Sequence, residues 1–152
     1  MTEAAEKYFN RLYPDGEFKL ASTDPEFAEF FANFSCDEVV NQDDLDDRTR
    51  MMAILAALLG CQGIDEFREV LPGALNLGVT PVEVKEIVYQ ACAYLGIGRV
   101  RPFFDAVNEV LTEKGIALPL EGQATTTIED RVEKGEQAQV DIFGDGMKGF
   151  AT

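Results

Sequence analysis

Apolar residues recur along this chain at spacings of three and four, the period of helices rather than strands. Ala4 to Leu12 reads as a weak amphipathic helix stopped by the turn tripeptide Pro14-Asp15-Gly16. Asp24-Pro25 then supplies an N-cap and a first-turn proline for a short helix with Phe27, Phe30, Phe31 and Phe34 on one face. Rings at this spacing usually pack into a core, so the stripe is predicted to be buried. From Arg48 to Cys61 the sequence is apolar on nearly every side, with Asp46 and Asp47 at the positive N-terminal end of the helix it predicts. Such a helix is expected at the centre of a bundle.

Ile64 to Leu77 mixes acidic and apolar positions and closes at Gly78, which can take the left-handed conformation. Thr80-Pro81-Val82-Glu83 carries the signature of a capping box. The helix it opens is expected to bury Val84, Ile87, Val88, Ala91, Cys92 and Leu95, which makes Cys92 a small core hydrophobe. Gly96-Ile97-Gly98 breaks it, and another helix is predicted from Arg99 to Gly115, with Val100, Phe103, Phe104, Val107, Val110 and Leu111 inward. Beyond it, Pro119, Gly122 and Thr125-Thr126-Thr127 form an irregular linker before a polar helix ending near Val140. Val140, Ile142, Phe143, Met147 and Phe150 cannot bury one another fully, so this tail is expected to pack on a neighbouring subunit or a further unit. No segment alternates like a strand. The predicted fold class is all-α, a helical bundle with two outlying pieces.

Charge narrows the partners. There are 13 Lys and Arg against 28 Asp and Glu, a formal charge of −15. Such a surface repels phosphate backbones and anionic lipid, so neither nucleic acid nor a membrane is expected as a partner. Three cysteines, Cys36, Cys61 and Cys92, match no disulfide framework and no C-x-x-C pair. The longest apolar run, Met51 to Cys61, is 11 residues long, short of the roughly 20 that a membrane span needs. A cytoplasmic protein fits both observations. The chain has no histidine, which removes the commonest general base and metal ligand and leaves carboxylates, thiols, Tyr, Lys and Arg for any chemistry. No metal or cofactor is called for by what remains.

Three blocks, LDDRTRMMAILAALLG at 45–60, GALNLGVTPVEVKEIVYQACAYLGIG at 73–98 and FFDAVNEVL at 103–111, resemble the carboxymuconolactone decarboxylase family, relatives of the alkyl hydroperoxidase D (AhpD-like) fold. The resemblance implies an AhpD-like domain over 34–115, with a helical extension at 1–33 and a linker and C-terminal helix at 116–152. It also implies a homo-oligomer, trimer or hexamer, with the active site among the central helices near subunit contacts. AhpD-like enzymes use a C-x-x-C pair and a histidine. Those positions fall here on Gly63, Glu66 and Val70, and the relay glutamate position falls on Met51. A second histidine of decarboxylase-like members aligns with Gln90, while Arg48 and Arg50 match basic positions of the family.

Three functions follow. The first is a metal- and cofactor-independent enzyme of lyase or isomerase type acting on a small carboxylate or lactone. Arg50, helped by Arg48, would hold the acid with its planar guanidinium fork. Gln90 and Tyr94, one helical turn apart, would polarise a carbonyl or enolate oxygen, and Glu69 would move the proton. The second is a non-catalytic scaffold or small-molecule binder, or one half of a tandem protein. The third is redox chemistry at Cys61, disfavoured by its apolar surroundings and its place at a helix C-terminal end.

Overall fold

A computed structural model describes residues 1–16 and 18–149. Seven α-helices and no strands occur among them: α1 Glu3–Leu12, α2 Pro25–Asn33, α3 Asp47–Gly60, α4 Ile64–Asn76, α5 Pro81–Leu95, α6 Ile97–Glu113 and α7 Arg131–Phe143. A short 3₁₀ turn, Lys19–Ser22, precedes α2, and a π turn, Phe34–Glu38, continues it. No helix is long and apolar enough to cross a membrane among the described residues. The chain divides into two units, Met1–Leu120 and Glu121–Thr152.

Local chemistry sets the helix boundaries in the first unit. Thr2 caps α1 by accepting from the Ala5 amide at 3.1 Å, and Asp46 caps α3 by accepting from the Thr49 amide at 2.9 Å. That bond holds the Asp46 carboxyl below its ordinary value. The capping box forms as expected: the Glu83 amide donates to Thr80 Oγ1 at 3.2 Å, and the Glu83 carboxylate accepts from the Thr80 amide at 2.9 Å. One boundary differs. α6 begins at Ile97 rather than Arg99, because Gly96 alone, at φ +79°, makes the break that the Gly96-Ile97-Gly98 run is expected to share.

The core lies between α3, α4, α5 and α6, with α1 laid against α4. Phe67 and Phe103 meet edge to face at its middle, with ring centroids 5.1 Å apart. Leu55, Leu59, Leu71, Val84, Val88, Val107 and Leu111 close around them. α6 buries Val100, Phe103, Val107, Val110 and Leu111 as predicted, with Phe104 half-buried.

Two expectations about packing are overturned. The phenylalanine stripe of α2 faces outward, with Phe27, Phe30, Phe31 and Phe34 between 41 and 64% exposed. The helix instead packs through Ala28 and Ala32, which continue into the buried Cys36. Small side chains let its backbone approach closely, and the rings lie largely in solvent, with Phe31 also reaching the Phe18 ring at a centroid distance of 6.0 Å. Nor is α3 central. Only Arg50, Met51, Leu55 and Leu59 are buried, while Ala53, Ile54, Ala56 and Ala57 are exposed. Its all-round apolarity reflects two apolar faces, one in the core and one on a groove that it shares with α5. α5 behaves likewise: Val84 and Val88 are buried, but Ile87, Ala91, Cys92 and Leu95 are only half-buried.

In the second unit, α7 runs to Phe143, beyond its expected end near Val140, and folds back on a short 3₁₀ turn, Asp145–Met147. Val140 and Met147 are half-buried, whereas Ile128, Val132, Ile142 and Phe143 are 59 to 78% exposed. Phe150, also counted in this apolar tail, lies outside the described residues.

Candidate functional site

The outer faces of α3 and α5 enclose a groove of about 530 Å³, within the range of small-ligand sites. Met52, Ala56, Leu59 and Gly60 line it from α3, and Glu83, Glu86, Ile87, Gln90, Ala91, Tyr94 and Leu95 from α5. The spacing 83, 86–87, 90–91, 94–95 is one helical face. Its floor is apolar. Its polar groups stand in a row along α5, with Glu86, Gln90 and Tyr94 four residues apart, so each Cβ lies roughly 5–6 Å from the next. All three are exposed, Tyr94 to 84%.

Gln90 and Tyr94, expected to act together, thus share the groove. No hydrogen bond to another side chain or to the backbone occupies either among the described residues, so the amide and the phenol are free to meet a ligand. Glu86 is absent from the residues that the sequence singles out, although its place one turn before Gln90 on the same helical wheel could mark it. Glu83 lines the groove too, but it is fully engaged. Its carboxylate serves the capping box, accepts from Thr80 Oγ1 at 2.9 Å and pairs with Arg48.

The structure does not bring the other expected residues to this groove. Arg48 reaches it only through its ion pair with Glu83. Arg50 lies inside α3, where Nη1 donates to the Val39 carbonyl at 3.4 Å and Nη2 to those of Val40 and Leu45 at 3.3 and 3.0 Å. Asp43 stands 3.6 Å from it. These contacts account for the polar stretch between the π turn and α3: the guanidinium is its anchor, with only Nε buried and unpaired. Arg50 and Met52 are separated by roughly 200° around the helix, so the cation points away from the groove.

Glu69 is held elsewhere again. Its carboxylate pairs with Lys19, and its backbone carbonyl accepts from the Tyr13 hydroxyl at 3.1 Å. Neighbouring Val70, at the family's histidine position, is half-buried against the core. Met51, at the relay position, is buried. Cys61 is exposed just past α3, and its thiol donates to the Leu58 carbonyl at 3.4 Å. Cys36 and Cys92 are also free thiols, and burial pushes Cys36 above its ordinary pKa. Nothing in the sequence signals the burial of Lys85. Its amine bonds to the Asn108 side chain between α5 and α6, and desolvation lowers its pKa. Among the described residues no cluster of His, Cys, Asp and Glu could hold a metal ion.

The 4-carboxymuconolactone decarboxylase of Acinetobacter baylyi (strain ATCC 33305 / BD413 / ADP1) is 30% identical over 112 residues, covering 74% of this chain and 81% of that protein. The model of the carboxymuconolactone decarboxylase family matches residues 25–109, a span that holds α2 through most of α6 and every residue of the groove. On that match, this chain belongs to the carboxymuconolactone decarboxylase family.

Proposed function

We propose that the chain is a lyase- or isomerase-type enzyme working through its own side chains on a small lactone or related carbonyl compound held in the α3–α5 groove. The observation that carries this reading is the pair of unengaged hydrogen-bond donors, Gln90 and Tyr94, above an apolar floor. A carbonyl oxygen set between them would be polarised, and the negative charge of an enolate would be stabilised where it develops. Glu86, one turn away, is the free carboxylate within the groove and takes the proton-transfer role that the sequence suggests for Glu69. Arg48 contributes by holding Glu83. Arg50 holds the preceding loop.

Deuterium exchange into a β,γ-unsaturated butenolide in D₂O, followed by NMR, tests this. The native chain should accelerate exchange at the carbon next to the carbonyl. Replacing both Gln90→Leu and Tyr94→Phe should remove about a hundredfold of that rate, and Glu69→Gln should leave it unchanged. Absence of acceleration by the native chain, or full activity in the double variant, would contradict the reading.

A second reading is ligand binding without turnover, favoured by Val70 and Gln90 at the two family histidine positions. Saturable binding of the same butenolide without exchange would establish it. Redox chemistry at Cys61 ranks last, because the thiol lies outside the residues that line the groove and sits at the C-terminal end of α3, where the helix dipole disfavours a thiolate. Assembly as a trimer or hexamer, or packing of α7 on a further unit, is supported by the exposed Ile142 and Phe143. Three unpaired thiols suit a reducing, cytoplasmic setting.

A further inference from the structure

We infer that the groove takes its ligand uncharged, as a neutral apolar lactone or ester rather than a free carboxylate, and that Glu86 enforces the choice. This rests on the groove being the ligand site. It departs from what the relative's name suggests, since that name specifies a substrate bearing a carboxy group.

The charges around the groove favour a neutral ligand. A carboxylate needs a cation, and the lining residues include none. Arg48 meets the groove at Glu83, and its guanidinium is committed to that carboxylate. Releasing it would leave the Glu83 carboxylate, already bound to Thr80, without its counter-charge. Arg50 points to the opposite side of α3 and is consumed by three carbonyls and Asp43. Lys85 is adjacent to Glu86 in sequence but turns toward Asn108.

Glu86, by contrast, lines the groove and forms no ion pair among the described residues. Its charge therefore acts on whatever enters. An anionic ligand beside it would meet like charge within a molecule already carrying −15, and would lose hydration against Met52, Ala56, Ile87 and Leu95 with nothing to replace it. A neutral carbonyl meets neither cost. Its oxygen needs donors alone, and Gln90 and Tyr94 supply them.

The test uses two ligands with one carbon skeleton: γ-nonalactone and its ring-opened form, 4-hydroxynonanoate. Each is titrated into the full chain at neutral pH and low salt, with binding read from NMR shifts. The lactone should bind about tenfold more tightly than the hydroxy acid. Glu86→Gln should raise hydroxy-acid affinity several-fold with little change for the lactone, and Glu86→Lys should reverse the preference. About 0.5 M salt should narrow the native ratio, because the repulsion is screened. A hydroxy acid that binds the native chain as tightly as the lactone, or a ratio untouched by Glu86→Gln, would overturn the inference while leaving the groove as the ligand site. Binding of neither ligand would remove the groove reading itself, and the inference with it.

Discussion

α1 and α2 carry the same kind of pattern and use it in opposite ways. Both are short, both place aromatic residues at helical spacing, and both belong to the first unit. α1 buries its stripe: Ala5, Tyr8, Phe9 and Leu12 lie within the core. Tyr8 is fixed by a hydrogen bond to Asp47 at 2.9 Å, and Asn76 donates to the Leu12 carbonyl at 2.7 Å. α2 turns its four rings outward and approaches its neighbours through Ala28 and Ala32. Periodicity identifies a face, but the neighbouring surface decides which face goes in. Where a helix offers both a ring face and a small-residue face, the one that permits close backbone approach can win, as in α2.

The difference can be broken most forcefully at Phe9. Phe9→Ala leaves a cavity in a packed cluster and should cost about 3–5 kcal/mol, read as a lower urea midpoint. The complementary test is Ala32→Leu, which forces a larger side chain into the close contact of α2 and should cost about 1–3 kcal/mol. A neutral Ala32→Leu together with a costly Phe30→Ala would mean that α2 packs with its rings inward.

A titration sharpens the same contrast. Burial, reinforced by nearby carboxylates, pushes the Tyr13 phenol at the end of α1 up to about 12, and burial with the Asp47 hydrogen bond raises Tyr8 as well. In the unfolded chain both phenols ionise near pH 10. The folded state keeps its protons longer, so their contribution is complete below about pH 10 and is lost as pH rises toward the folded values. Denaturation between about pH 10 and 12 should therefore show falling stability. Tyr13→Phe should flatten that fall by about 2 kcal/mol. The smallest effect is expected at Phe30→Ala, within about 0.5 kcal/mol of the native chain, because the ring is 64% exposed.

Much of the helical frame is legible in the sequence because its signals are local. Thr80-Pro81-Val82-Glu83 announces the start of α5, and the stripe from Val100 to Leu111 gives the buried face of α6. What sequence order hides is the partner of each polar group. Arg50 reads as a ligand-binding cation until three backbone carbonyls from the preceding loop are seen around it. Glu69 reads as a proton carrier until Lys19, 50 residues away, is found beside it. α3 reads as a central helix because a core face and a groove face are equally apolar. Gln90 and Tyr94 are legible as a pair because they lie on one helix. The carboxylate they accompany is Glu86, one turn earlier on that helix.

Residue-resolved NMR of the full chain titrated with γ-nonalactone tests the central claim most directly. If the α3–α5 groove is the ligand site, shifts should concentrate at Met52, Ala56, Ile87, Gln90 and Tyr94, leaving Arg50 and Glu69 unmoved. Shifts centred on Glu69 and Val70, or around Arg50 and the loop it holds, would contradict it.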